Sequence, residues 1–314
     1  MNRDLLGGIG AGAVSALLWA SITLGGGGIF LSYLSPLPLL MVGLSLGSRA
    51  GTIGIVAGVL LSGVAGNPFF ALVYIVMIGL PVGLIVRQAL MTRRLRSGAV
   101  EWYKPGDLLA RLAGVASVLI IVAGLVHFDV DGGLPAAIGQ YLDQILEARF
   151  NLASPGDRAT LVSKLTPFFP AIIAGSWLLF LTVNGTLAQS LLVRMGRNIR
   201  PTPVYSEIEL PDWIYWAIVI AAGVALLSSG TADFVAMNVV AVLATPFFFV
   251  GLGTIHIMVR RLAAPTMALV GLYGIILVFG LVPFVAVAGL GFLEQWTDLR
   301  NRYSGAPAPD EEEE

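Results

Sequence analysis

Residues 36–66 read PLPLLMVGLSLGSRAGTIGIVAGVLLSGVAG, two apolar runs flanking a short Gly47-Ser48-Arg49-Ala50-Gly51 turn. The second run carries a small residue at every fourth position: Ala50, Gly54, Gly58, Ser62 and Gly66. Residues four apart share one helix face, so this spacing predicts a helix with a stripe nearly free of side chains. In lipid no hydrophobic force drives helices together, and such a stripe lets two backbones meet in van der Waals contact. The first apolar run repeats the device with Gly8, Gly12, Ala16 and Ala20. The stripe of Ala50, Gly54, Gly58 and Ser62 reads as helix packing. That of Gly8, Gly12, Ala16 and Ala20 has two readings, packing within the chain or docking of a separate membrane subunit.

Composition sets the class. The chain has 314 residues, 57% hydrophobic and 12% charged, with a mean hydropathy of +0.87. A soluble domain carries roughly 25% charged residues; half that share, with long apolar runs, means a multi-span membrane protein. The net charge of −1 comes with no dense basic face, so no nucleic-acid partner is expected. There is no cysteine, which excludes disulfides and thiolate chemistry. The first apolar run is Gly-rich and lacks a small-x-small cleavage site, so it reads as a retained span rather than a signal peptide.

A span needs about 20 mostly apolar residues. Nine runs meet or approach that, at about 5–24, 29–47, 50–64, 69–86, 108–128, 168–193, 213–228, 234–259 and 262–292. The expected fold is an all-α, polytopic transmembrane helical bundle of nine spans, with eight or ten left open, forming one domain over 1–303. Pro81 inside the fourth run predicts a kink. The longest polar stretch, 129–166, holds a stripe of Ile138, Leu142, Leu146 and Phe150, with Asp143, Glu147 and Arg149 facing elsewhere. That pattern predicts an amphipathic helix outside the membrane. Ser154-Pro155 resembles the start of a second short helix. Residues 304–314 end in an acidic, Pro-containing tail expected to be disordered.

Basic residues set the orientation. With the N-terminus in the cytoplasm, Arg3, Arg49, the loop holding Arg87, Arg93, Arg94, Arg96, Lys104 and Arg111, the Arg194–Arg200 cluster and Arg260-Arg261 all fall inside. That is thirteen of the eighteen basic residues. Nine spans would leave Arg300 and Arg302 on the outer side, against this bias; either the last run breaks at Pro283 and returns, or the two arginines sit in an outer interfacial helix.

Catalytic signals are absent. No acidic residue lies deep in any expected span, which argues against an internal proton relay, and no Gly-x4-Gly-Lys-Ser/Thr loop occurs. His127, Asp129 and Asp131 alternate, and alternate residues point apart on a helix, so no metal site and no cofactor are expected. His256 reads as an interfacial side chain bonded to a carbonyl, or as a contact for a partner or a lipid head group. Trp19, Tyr33, Tyr74, Trp177, Trp213 and Trp216 read as aromatic belts. The amides Asn184, Gln189 and Asn238 lie within expected spans; they bridge helices or line a solute cavity.

Three short motifs carry a resemblance: Pro36-Leu37-Pro38 with Val42-Gly43-Leu44 and the turn after Gly47; Leu210-Pro211-x-Trp213; and Gly291-Phe292-Leu293-x-x-Trp296-x-Asp298-Leu299-Arg300. On these the chain resembles the YybS-like family of bacterial membrane proteins. That family is distantly similar to the S components of energy-coupling-factor (ECF) transporters. In S components, small residues on the first span pack against a transmembrane T subunit, and Gly12, Ala16 and Ala20 occupy the matching place. S components have six spans, and this chain continues beyond its sixth. The resemblance implies no biochemical activity.

The leading expectation is a non-enzymatic, transport-type subunit of the bacterial inner membrane that binds a small solute and relies on a partner for energy. The alternative is a membrane scaffold that recruits envelope proteins through cytoplasmic loops. A solute-binding subunit calls for a polar pocket open outward beneath 129–166. A scaffold calls for a filled bundle and a conspicuous cytoplasmic face.

Overall fold

The computed structural model describes residues 3–150, 155–297 and 299–304. The acidic tail from residue 305, Ser154 and Asp298 lie outside the described residues, as do the side chains of Arg149 and Phe150. The chain forms two compact units, Met1–Leu112 with Ser176–Pro203 and Ala113–Gly175 with Val204–Glu314. It is an all-α polytopic membrane protein. Seven helical segments are long and apolar enough to cross a membrane, and three shorter apolar helices accompany them among the described residues.

The first unit contains α1 (Arg3–Ala20), α2 (Gly27–Ser32), α3 (Pro36–Leu46), α4 (Ser48–Ala65), α5 (Pro68–Tyr74) and α6 (Leu80–Ala89). A hairpin of β1 (Thr92–Arg94) and β2 (Val100–Trp102) follows. Then α7 (Pro105–Val126) begins in the first unit and ends in the second. The small-residue stripes are the main contact of this unit. A Cβ added at Gly8 would press on the Ala50 carbonyl at 2.8 Å, and one at Gly12 would overlap the Gly54 carbonyl. The partner of Gly8, Gly12 and Ala16 is therefore α4 of the same chain, which leaves these buried residues no free face for a T subunit. Ala20, half-buried, ends α1.

Trp19 and Tyr74, expected in an aromatic belt, are instead buried, their ring centroids 6.1 Å apart. Ser15 Oγ donates to the Ser35 carbonyl at 2.7 Å, so the Tyr74 hydroxyl is left to donate to Ser15 Oγ, also at 2.7 Å. Gly58 makes room for that hydroxyl. The expected kink at Pro81 takes another form. Residues Ile75–Gly79 widen into a π turn, and Pro81 enters the first turn of α6. Pro81 has no N–H to offer the carbonyl four residues before it, that of Met77. The Trp177 indole donates to that carbonyl at 2.8 Å.

The second unit takes α8 (Gly133–Phe150) and α9 (Pro155–Leu165) before α10 (Phe169–Arg194) returns the chain to the first. On α8, Leu142 and Leu146 of the predicted stripe are buried and Ile138 half-buried, and Leu134, one turn earlier, is buried as well. Asp143 and Glu147 do not simply face away: Arg158 of α9 reaches them at 2.7 and 3.4 Å and ties the two helices together.

The remaining helices are α11 (Trp213–Leu227), α12 (Thr231–Val259), α13 (Pro265–Phe279), α14 (Leu281–Thr297) and α15 (Leu299–Ser304). The expected ninth span is divided at Gly280, whose φ of +55° only glycine adopts readily. Its halves have 15 and 17 residues, about 22 and 25 Å long, each short of a hydrocarbon core of about 30 Å. Gly251 meets the Val287 carbonyl and Gly291 meets that of Phe247, so α12 and α14 run parallel in backbone contact. Arg300 and Arg302 accordingly lie at the same end as Arg260 and Arg261, not at the opposite one, and the conflict raised by nine spans disappears.

Gly58→Leu forces a side chain into the Tyr74 hydroxyl, whereas Leu61 is 41% exposed. Overpacking of this kind costs about 1–3 kcal/mol. Thermal unfolding in detergent should show a lower Tm for Gly58→Leu and near wild-type behaviour for Leu61→Ala; equal Tm values would contradict this packing.

Candidate functional site

The three buried amides have main-chain work. Asn184 Nδ2 donates to the Tyr33 carbonyl at 2.9 Å and to that of Phe180 at 2.8 Å. Tyr33 lies in the break between α2 and α3, where Leu37 N bonds Leu34 instead and leaves the Tyr33 carbonyl unused. Gln189 Nε2 donates to the Arg200 carbonyl at 2.9 Å. Asn238 accepts from Ala171 N and donates to the Pro167 carbonyl, both at 2.9 Å, at the tight turn that opens α10. Backbone groups without water must find partners inside the protein, and these amides supply them where helices break. Asn184 and Gln189 belong to the first unit and Asn238 to the second. The imidazoles behave alike: His127 Nδ1 and His256 Nδ1 lie 2.8 Å from the carbonyls four residues earlier.

One end of the first unit collects charge. The parallel pairing of α1 and α4 puts their N-termini together. Gly43 against Val86 puts the C-termini of α3 and α6 together. Arg200, just past α10, reaches the Ala89 carbonyl at the end of α6 at 3.2 Å. This unit holds eleven basic and three acidic residues, a side-chain charge of +8.

At that end the basic loop is not irregular but folded into the β1–β2 hairpin, in register Thr92↔Trp102, Arg93↔Glu101 and Arg94↔Val100. Gly98 turns it at φ +81°. Its base is held by two guanidinium–ring contacts, Arg111 over Tyr103 at 5.1 Å and Arg200 over Trp102 at 5.9 Å. Arg200 is buried, its carbonyl taken by Gln189 and its guanidinium by Ala89. Burial raises the pKa of Tyr103, Arg111 partly offsets this, and the ring stays a neutral platform. Arg93, Arg94 and Arg96 are exposed at the tip.

Beside the hairpin end lies a cleft of about 760 Å³ between α1, α3 and the end of α10, with Arg3, Ser45 and Arg197 among its lining residues. In the second unit two grooves of about 430 and 550 Å³ have mainly apolar walls, such as Val219 and Phe284 in one and Ile121 and Val235 in the other. Asn184, Gln189 and Asn238 line none of the three.

The second unit also holds a buried acid missed by the sequence reading. Glu294, two residues past the expected last span, is 4% exposed. Its Oε1 accepts from Arg300 N at 2.9 Å and Nε at 3.1 Å, while Arg300 Nη1 donates to the Ile208 carbonyl at 2.9 Å. The signal was an acid followed six residues on by an arginine.

Removing the buried Arg200 guanidinium frees the base of the hairpin. A charge-assisted hydrogen bond contributes about 1.5–3 kcal/mol. Arg200→Ala should therefore raise the rate of tryptic cleavage at Arg93, Arg94 and Arg96 by about tenfold or more, with peptide mapping as the readout. Unchanged cleavage would mean the hairpin stands without Arg200.

Comparison with protein-family models matches residues 13–293 to a family described as predicted membrane protein (DUF2232). No curated protein and no solved structure matches the chain. Ten apolar helical segments among the described residues agree with that description, and with most of its length matched the chain belongs to the DUF2232 family of predicted membrane proteins.

Proposed function

We propose that this chain is a non-catalytic scaffold subunit of the bacterial cytoplasmic membrane, with the basic end of the first unit in the cytoplasm, and that the 92–102 hairpin recruits a partner protein with an acidic surface. The observation that carries this reading is that the hairpin is built. Orienting a membrane protein takes basic residues near the span ends and nothing more. Here the loop is paired into strands, braced by two guanidinium–ring contacts and anchored through a buried arginine, so that the exposed Arg93, Arg94 and Arg96 stand on a fixed support. The thirteen basic residues at the expected inner loops support the cytoplasmic placement.

A transport-type subunit, solute-binding and dependent on a partner as the ECF S components are, is the second reading. The cleft beside Arg3 and Arg197 could hold a solute, but it lies at the basic end and not on the outer side, where this reading calls for a pocket. Less stands beneath it, because the amides named as solute-lining are occupied by backbone and the stripe named for subunit docking is occupied by α4.

A photo-crosslinking amino acid at residue 97, at the hairpin tip, tests the scaffold reading in cells. One discrete protein adduct is expected, and the R93E/R94E/R96E variant should lose it at unchanged membrane levels, since exposed charges govern encounter. An adduct indifferent to that reversal, or crosslinking to lipid alone, would contradict the proposal.

A further inference from the structure

The geometry points to the cleft between α1, α3 and α10 as a binding site for one anionic phospholipid of the leaflet at the basic end. The site is separate from the hairpin tip. Its polar groups gather at one mouth: Arg3 opens α1, Ser45 is near the end of α3, and Arg197 follows α10. Its walls deeper in are apolar, with Leu6, Met41 and Leu192. The cleft runs along α3 from Pro38 to Leu46, about 12 Å of helix. That is longer than a headgroup and suits a headgroup with the upper part of an acyl chain.

Gly7 shapes the wall. A Cβ there would come within 2.9 Å of the Leu46 side chain. The Ser45 hydroxyl is already turned to the Met41 carbonyl at 2.6 Å, which leaves the two guanidiniums as the mouth's donors. Guanidinium pairs a phosphodiester through two parallel N–H groups, and basic pockets between helices at the inner interface suit anionic headgroups. A free phosphate would meet the same two arginines but gain nothing from the apolar wall. The chemistry therefore favours the lipid.

The test is native mass spectrometry of the full chain in detergent with equal amounts of dioleoyl phosphatidylglycerol and dioleoyl phosphatidylcholine. One phosphatidylglycerol should be retained preferentially. Arg3→Gln with Arg197→Gln should lower that retention at least about tenfold, Arg197→Lys should keep most of it, and Arg93→Gln with Arg94→Gln on the hairpin should leave it unchanged. Millimolar inorganic phosphate should not displace the lipid. Equal retention of both lipids, loss in the hairpin variant as large as in the cleft variant, or displacement by phosphate would each overturn the assignment. Hairpin variants alone lose the partner protein and cleft variants alone lose the lipid, so the two proposals fail separately.

Discussion

Every main-chain N–H and C=O that leaves a helix inside hydrocarbon needs a protein partner, and three interruptions among the described helices are each answered by a specific side chain. The π turn and Pro81 expose the Met77 carbonyl, and Trp177 takes it. The break after α2 exposes the Tyr33 carbonyl, and Asn184 takes it. The turn before α10 exposes Pro167 and Ala171, and Asn238 spans both. Without these three bonds the breaks would each leave an unpaired buried dipole, a cost of several kcal/mol in lipid.

That arrangement leaves little for a solute inside the bundle. The amide nitrogens of Asn184, Gln189 and Asn238 are already bonded to main-chain carbonyls, and the two grooves of the second unit have mainly apolar walls. Charge has instead been moved to one end of the first unit, where eleven basic residues stand against three acidic ones. Exposed arginines on a mobile loop would contribute little, since each surface pair is worth at most about 1 kcal/mol. Mounting three of them on a braced hairpin removes part of the ordering entropy that recognition would otherwise cost.

Local spacing was readable in the sequence; partners across long separations were not. A Gly/Ala stripe at every fourth position identifies α1 and α4 as close-packing helices, yet nothing in it says that they pack on each other. The amides at 184, 189 and 238 stand out in apolar runs, but the carbonyl that claims Asn184 lies 151 residues away. The hairpin left almost no trace, because β1 is Thr-Arg-Arg, polar throughout, and the one alternation in β2, Val-Glu-Trp, is only three residues long. The division of the last run was misplaced for a related reason. Pro283 looked like the breaker, but a proline is tolerated in the first turn of a helix, and the positive φ at Gly280 makes the turn. Glu294 was overlooked because its shield, Arg300 and the Ile208 carbonyl, assembles only in three dimensions.

The proposed recruiting role requires that the basic loop be a fixed structure rather than a charged tether. Amide hydrogen–deuterium exchange of the unaltered protein in lipid nanodiscs measures this directly. The hydrogen bonds of the hairpin, with Leu95 N to Ala99 and Tyr103 N to Met91 at its two ends, predict slowed exchange across 92–103 relative to an unstructured chain. Exchange across 92–103 at the rate of an unstructured peptide would contradict the central claim.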